Sequence, residues 1–403
     1  MKLAILTAYP PSKVTLNEYA YHLVREFRQK SEITELILLT DITGESKKID
    51  FLEDGCKITV RECWSFNSLR NILTVIKAIN ETKPNNILFN LQFMKFGDKK
   101  IPAALGLLLP LICKLKRIPT IVLLHNILEE VDLKKVGITS NKFLKKIYKF
   151  TGSLLTMIIL RADVVSVTMK KYVDILEKKY NVKNVIAIPH GTFEVPKKPE
   201  FKLPKGALKI MTFGKFGTYK KVELLIEAVQ MVRSLTGMDL EIIIAGANHP
   251  NTPSYLENVK RRFAYVPQLI FTGYIEEDKI PILFNESAVV VFPYSSTTGS
   301  SGVLHQAGSY GKAVIMPNLG DLALLVKEEG YRAEFFEPTS AISLAASIEA
   351  IVTNDAYRVA LGIANYEAAS AYPMSMIAGI YLDTFHDISN VSKVKNNCNY
   401  QIN

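Results

Sequence analysis

Short apolar runs alternate with longer amphipathic stretches along almost the whole chain, and this alternation restricts the fold more than any other feature. Residues 2–7, 36–39, 86–90, 120–124, 164–167 and 185–188 read as strands in the first half. The theme repeats at 209–213, 240–245, 269–273, 289–293 and 313–316. These runs are dense in Val, Ile and Leu and do not alternate with polar residues, as expected of strands covered on both faces. Between them lie helical patterns. After the first strand, for example, Leu16, Tyr19, Leu23, Val24 and Phe27 fall on one helical face. The fold class expected is α/β, with parallel sheets wrapped by helices.

A chain of 403 residues exceeds what one ordinary core holds, so two domains are expected. The segment 192–206, with three prolines and six charged side chains, breaks the periodicity and reads as the connection. The expected division is 1–195, a linker at 196–206, and a second domain at 207–371. Pro373 interrupts a helical stretch, so that a helix at 372–388 crosses back onto the first domain, and polar residues 389–403 read as a disordered tail. Cys56, Cys63, Cys113 and Cys398 show no metal-ligand or redox spacing, which fits a cytoplasmic protein without disulfides. The first residues are too short in their apolar part for a secretion signal, and no run reaches the ~20 apolar residues of a spanning helix. The longest apolar run, 101–113, reads either as a core helix or as one that touches a membrane surface.

The net charge of +10 is unevenly placed. Residues 1–200 hold 32 basic and 20 acidic side chains, whereas 201–403 hold 17 and 19. Lys142, Lys145, Lys146 and Lys149 recur at helical spacing within the basic half. They form either a solvated face or a surface for an anionic partner, such as acidic lipid or a phosphorylated acceptor. Nucleic acid is not an expected partner, because no aromatic stacking motif or reading helix accompanies the charge.

Candidate site residues follow the strands. Between the runs at 289–293 and 313–316 lies a small-residue turn and a short helix, a shape whose backbone N–H groups can face a phosphate. After the run 209–213 come Gly214 and Lys215, then Lys220, five positions on, before a helix. Two ammonium groups there suit a diphosphate leaving group.

The stretch 213–229, FGKFGTYKKVELLIEAV, resembles the second-domain signature of retaining glycosyltransferases of the GT-B fold, specifically glycosyltransferase family 4. IPHGT at 188–192, EIIIAG at 241–246 and GSYGKAVIMPNLGD at 308–321 continue the resemblance, which covers essentially the whole chain. It implies two Rossmann-like domains whose parallel sheets face across a cleft, the first holding the acceptor and the second the nucleotide-sugar. The implied reaction moves a hexosyl group from a UDP- or GDP-sugar to a glycan or lipid-linked acceptor, with retention and without a metal or other cofactor. The adjacent acids Glu130 and Asp132 are the one pair a metal could invoke.

By position, Lys215 and Lys220 would bind the donor diphosphate and stabilise its departure, and His125, ending the run at 120–124, would orient sugar or acceptor. Gly214, Gly299, Ser300, Ser301, Gly302 and Val303 would complete the donor site. The chain also departs from the family. Where a Glu stands eight positions before a second Glu, one for the sugar and one for the ribose, this chain has Thr298 and Gln306, with His305 beside it. Gln still accepts through its amide oxygen, whereas Thr is short and neutral. The Gly-Gly of the first loop is replaced by a Pro-Pro stretch, with Lys13 and Asn17 as acceptor-side candidates. A peripheral site at the inner face of a membrane is the expected location. The alternative is a catalytically silent relative that binds nucleotide or sugar.

Overall fold

The computed structural model describes residues 1–12, 14–45, 55–130, 142–297 and 299–399. The chain divides into a first unit, residues 1–190 with 374–403, and a second, residues 191–373.

In the first unit the order is β1 (Lys2–Leu6), α1 (Asn17–Arg28), β2 (Glu35–Asp41), β3 (Lys57–Trp64), α2 (Asn71–Thr82) and β4 (Asn86–Leu91). It continues with α3 (Lys100–Leu107), α4 (Leu109–Leu115), β5 (Thr120–Leu124), α5 (Lys142–Ile159), β6 (Val164–Val167), α6 (Lys170–Tyr180) and β7 (Val185–Ala187). These strands form one parallel sheet in the order β3-β2-β1-β4-β5-β6-β7. Chain direction across the sheet reverses between β1 and β4, the place where doubly wound sheets leave a crevice. β1, β4 and β5 are buried almost end to end, which explains their mainly apolar character, with Asn90 of β4 a buried polar exception.

Tyr19, Leu23, Val24 and Phe27 of α1 face the core, while Leu16 stands just outside the helix in the left-handed region at φ 74°. The apolar run at 101–113 is not one helix. It breaks at Leu108, and Pro110 fits the first turn of the new helix, where no intrahelical N–H partner is lost.

The second unit holds β8 (Leu208–Phe216), α7 (Glu223–Thr236), β9 (Leu240–Asn248), α8 (Tyr255–Arg262), β10 (Leu269–Gly273), α9 (Ile280–Glu286) and β11 (Ser287–Val291). It ends with α10 (Gly302–Ser309), β12 (Ala313–Pro317), α11 (Gly320–Glu328), β13 (Glu334–Phe336), α12 (Ala341–Val352) and α13 (Asp355–Ala371). Its parallel sheet runs β10-β9-β8-β11-β12-β13, with the reversal between β8 and β11. Ile210, Ile242, Ile244, Val289, Val291 and Ile315 face a core shared with Leu225, Val229 and Ile348 of the helices. Each such side chain contributes about 1.5–3 kcal/mol on burial.

The proline-rich segment at 196–206 is fastened to the second unit. Arg358 Nη2 of α13 donates to the Phe201 carbonyl at 2.7 Å, and the Tyr366 hydroxyl donates to that of Pro196 at 2.8 Å. The last helix, α14 (Met374–Asn399), belongs to the first unit and packs on α1, where Tyr381 is fully buried near Phe27 and Ser166. It continues to Asn399, past residue 389, where composition alone suggests a disordered tail. Residues 400–403 lie outside the described residues, as do the side chains of Lys142, Lys145, Lys146 and Lys149.

Candidate functional site

At the reversal point of the second unit, β8 and β11 end side by side and their following loops are stitched together. Lys220 and Tyr294 form an isolated antiparallel bridge, the Ser295 N–H donates to the Tyr219 carbonyl at 2.9 Å, and the Lys221 N–H donates to that of Pro293 at 3.3 Å. This pairing brings the Lys220 loop against the start of the small-residue turn.

The Lys220 ammonium sits 4.7 Å from the Tyr294 ring centre and 5.9 Å from that of Tyr219, a cation–π arrangement that holds a charge without a carboxylate. A Cβ on Gly214 would come within 3.0 Å of this ammonium. Gly214 in turn pairs with Gly246 on β9, where a Cβ would lie 1.9 Å from the Gly214 carbonyl oxygen. Both glycines adopt positive φ, 137° and 135°, so the backbone here is closed to side chains on two counts. Burial lowers the Lys220 pKa, while Tyr219 acts in the opposite direction.

Lys215, the last residue but one of β8, is exposed. His249, just after β9, faces the same charge field. Its pKa is lowered by burial and by the nearby Lys215 and Lys220. Sequence reasoning missed His249 and Tyr294, although both follow strands it recognised; β9 runs three residues past the expected end at 245, which brings His249 to the strand end.

Along the turn, the residues divide by what their backbone does. The Gly299 N–H donates to Asp321 Oδ2 at 3.0 Å, so it anchors the loop on α11 and is not a spare phosphate donor. Ser301 caps α10, its Oγ accepting from the Leu304 N–H. The N–H groups of Gly302 and Val303 open the first turn of α10, where helix geometry gives them no intrahelical acceptor. Gln306 is half-buried on α10, one turn further. His305 is not beside it on the ligand side but inside the fold, 2% exposed, with its ring between Ser300 and Tyr331. Thr298 lies outside the described residues, as do Lys13 and Asp132.

In the first unit, His125 follows β5, and its Nε2 is 2.7 Å from Asn90 Oδ1. Asn90 Nδ2 donates to Thr7 Oγ1 at 3.0 Å, and Thr7 Oγ1 donates to the Ala8 carbonyl at 2.9 Å. The carbonyl can only accept, so the chain of bonds has one direction: Nε2 carries the proton and Nδ1 keeps its lone pair. Burial drives the His125 pKa well below the ordinary value, with His190 and Lys95 adding to the effect. Tyr19 lies edge-on to both His125 and His190, with ring centres at 4.6 and 4.9 Å.

Lys95, after β4, is wholly buried. Its ammonium donates to the Thr15 carbonyl at 3.1 Å and faces the Trp64 ring at 5.3 Å, and burial pushes its pKa down to about 7 against the pull of Asp41. Asp41 accepts from Ser12 Oγ at 2.6 Å, and Asn17 Nδ2 donates to the Ser12 carbonyl at 2.7 Å. The loop without glycines is therefore clamped from beneath, and the Asn17 amide serves the loop. Among the described residues, no group of three or more His, Cys, Asp or Glu side chains is placed to hold a metal ion.

Residues 207–354 match the family model described as Glycosyl transferases group 1. The second unit belongs with the group 1 glycosyltransferases. Solved structures align with the whole chain at low identity. Sucrose-phosphate synthase from Thermosynechococcus elongatus aligns at 15% identity and TM-score 0.73, over 97% of this chain and 100% of that one. HepE of Anabaena, solved with UDP and glucose, aligns at 14% and 0.67, over 96% and 100%. A glycosyltransferase from Rickettsia africae aligns at 15% and 0.68, over 96% and 98%. The likeness is one of fold, and the two parallel-sheet units are those of the GT-B architecture. No curated protein sequence matches the chain. In the glycosyltransferase domain, the Lys215–Lys220 loop and the turn before α10 occupy the reversal point of the sheet, where open α/β folds bind ligands.

Proposed function

We propose that the chain is a retaining hexosyltransferase that takes a UDP- or GDP-sugar in its second unit and passes the sugar to a glycan or lipid-linked hydroxyl. The observation that carries this reading is the Lys220 ammonium, lodged over Tyr294 against a backbone that only glycine permits, with Lys215 exposed beside it. Such fixed positive charge, added to the first turn of α10, stabilises a diphosphate as charge builds on it.

In the proposed step, the bond between the anomeric carbon and the diphosphate oxygen breaks and its electron pair goes to the phosphate. The acceptor oxygen bonds to the same face, and its proton passes to the departing phosphate. His125, neutral with a lone pair on Nδ1, accepts a hydrogen bond from a sugar hydroxyl and so orients it. The cations of the chain supply the charge that a metal would otherwise provide, so the reading is metal-independent.

Gln306, standing where a Glu is expected, favours one rival: a silent nucleotide-binding module. A panel of UDP-, GDP- and ADP-sugars separates the two. Transfer or slow hydrolysis with release of the α- or β-anomer matching the donor supports the enzyme, whereas tight binding with neither supports the silent module.

The acceptor is proposed to be presented at an anionic membrane surface, on the cytoplasmic side. No helix among the described residues is long and apolar enough to cross a membrane. The first unit instead exposes Phe66, Leu69, Leu73, Met94 and Ile101 on neighbouring loops and helices, joined by Asn67, whose Oδ1 accepts from the Lys99 N–H at 3.0 Å. Flotation with neutral and anionic vesicles checks this: salt-sensitive recovery with anionic vesicles alone is expected, and equal recovery with both would refute it.

A further inference from the structure

Ser300, His305, Glu329 and Tyr331 form a polar group that the account above leaves without a role. His305 Nε2 lies 3.0 Å from Ser300 Oγ, and Nδ1 lies 2.9 Å from the Tyr331 hydroxyl. Glu329 Oε2 is 3.5 Å from the same Nδ1. Glu329 is 8% exposed, and neither of its carboxyl oxygens has a hydrogen-bond partner among the described residues. An ionised carboxylate so placed is costly. Burial, with Glu328 nearby, accordingly pushes its pKa up to about 8.

Proton positions then follow from the geometry. While Glu329 is neutral, Nδ1 accepts from the Tyr331 phenol, 2.9 Å away, and the ring proton resides on Nε2. From there it donates to Ser300 Oγ, which leaves the hydrogen of Ser300 free to point away from the histidine. Once Glu329 is ionised, the proton is drawn to Nδ1, facing the carboxylate. Nε2 becomes an acceptor and captures the Ser300 hydrogen.

Ser300 is half-buried between Gly299, fixed by Asp321, and Ser301, the cap of α10, so its backbone is held in the turn while its Oγ meets the His305 ring. Among the described residues, Glu328 and Tyr331 are the titratable groups that act with Glu329, and Asp321 holds the Gly299 end of the turn. Asn365 and Ala369 of α13 close on Gly308, one turn along α10.

We propose that Glu329 is a positioning residue that, through His305 and Tyr331, aims the Ser300 hydroxyl at the donor diphosphate and withdraws it on ionising. The proposal rests on the donor-site reading of the second unit.

The first arm of the test needs no ligand. NMR of the imidazole nitrogens should show His305 with its proton on Nε2 at about pH 7 and on Nδ1 at about pH 9, either side of the Glu329 titration. In Glu329→Gln the proton should stay on Nε2 at both. The second arm is calorimetric binding of UDP. Wild-type affinity should fall by about tenfold more over this interval than that of Glu329→Gln. Ser300→Ala should bind about tenfold more weakly than wild type at about pH 7 and should lose no more affinity than Glu329→Gln up to about pH 9. The lowered pKa of Lys220 acts alike in wild type and Glu329→Gln, so their difference isolates Glu329.

A tautomer that does not change with pH, or one UDP profile shared by wild type and Glu329→Gln, overturns the proposal. A wild type that switches tautomer yet binds neither UDP nor GDP overturns the donor-site reading, and the diphosphate end of the proposal with it. If Glu329→Gln fails to fold, the wild-type tautomer and Ser300→Ala carry the test.

Discussion

At the β8/β11 reversal of the second unit the cations stand at the rim. Lys215 is exposed, and Lys220 is half-buried over two tyrosine rings. At the β1/β4 reversal of the first unit the polar groups lie beneath the surface. Lys95 is wholly buried, and His125 is committed to the bonds that run through Asn90 and Thr7. The same position in two similar sheets thus serves two ends. On the proposed reading, one presents fixed charge to a diphosphate, and the other spends its charge on holding a loop and leaves one neutral acceptor for a hydroxyl. The contrast lies in the ammonium groups: that of Lys95 donates to the Thr15 carbonyl, whereas that of Lys220 faces two tyrosine rings.

Lys220→Ala is the sharpest way to break that contrast. Turnover should fall by about 10²–10³-fold with little change in thermal unfolding, because the charge acts on the leaving group. A near-wild-type rate would remove Lys220 from the chemistry.

Buried titration gives the next effect, with opposite signs in the two units. Lys95 titrates in the fold near 7, below its unfolded value, so the unfolded chain binds more protons between 7 and the usual lysine range. Stability contributed by the first unit should therefore rise with pH through that window. Lys95→Met should abolish the rise, about 5 kcal/mol in all. Glu329 titrates near 8, above its unfolded value, so its contribution is fully present below the ordinary carboxylate range and is lost as pH climbs through 8. Hydrogen exchange resolved by segment reads both slopes separately. Parallel slopes in the two units would contradict the assignment.

A smaller effect is expected at His125. His125→Ala should reduce kcat by roughly ten- to a hundredfold, with Gln recovering part through an acceptor oxygen. Equal rates for Ala and Gln would show that no hydrogen bond is accepted there.

Much of this was legible in the sequence, for identifiable reasons. Strands such as β1, β5 and β11 are buried on both faces and carry nearly continuous apolar runs. β3 was not foreseen, because Lys57, Arg61 and Glu62 interrupt it at the sheet edge, where one side meets water. β13 has only three residues and leaves no pattern. The Gly214–Lys215–Lys220 loop was visible because its chemistry is local. The His305–Glu329–Tyr331 group was not, since its members lie 24 and 26 positions apart and meet only when β12 and β13 pair. His305 was read as facing the ligand from its neighbour Gln306. Adjacent helical positions point about 100° apart, however, and the structure turns His305 inward.

The Gly214–Gly246 contact sets where relatives of this chain are free to diverge. A strand end that accepts no side chain cannot be tuned to a new sugar or base, so on the proposed reading the backbone there is a fixed datum for the diphosphate. Any shift of donor preference must come from the movable rim, at positions such as Lys215, His249 and Gln306. An engineer seeking a different donor would leave both glycines untouched and randomise that rim, reading Gly246→Ala as a probe of folding alone.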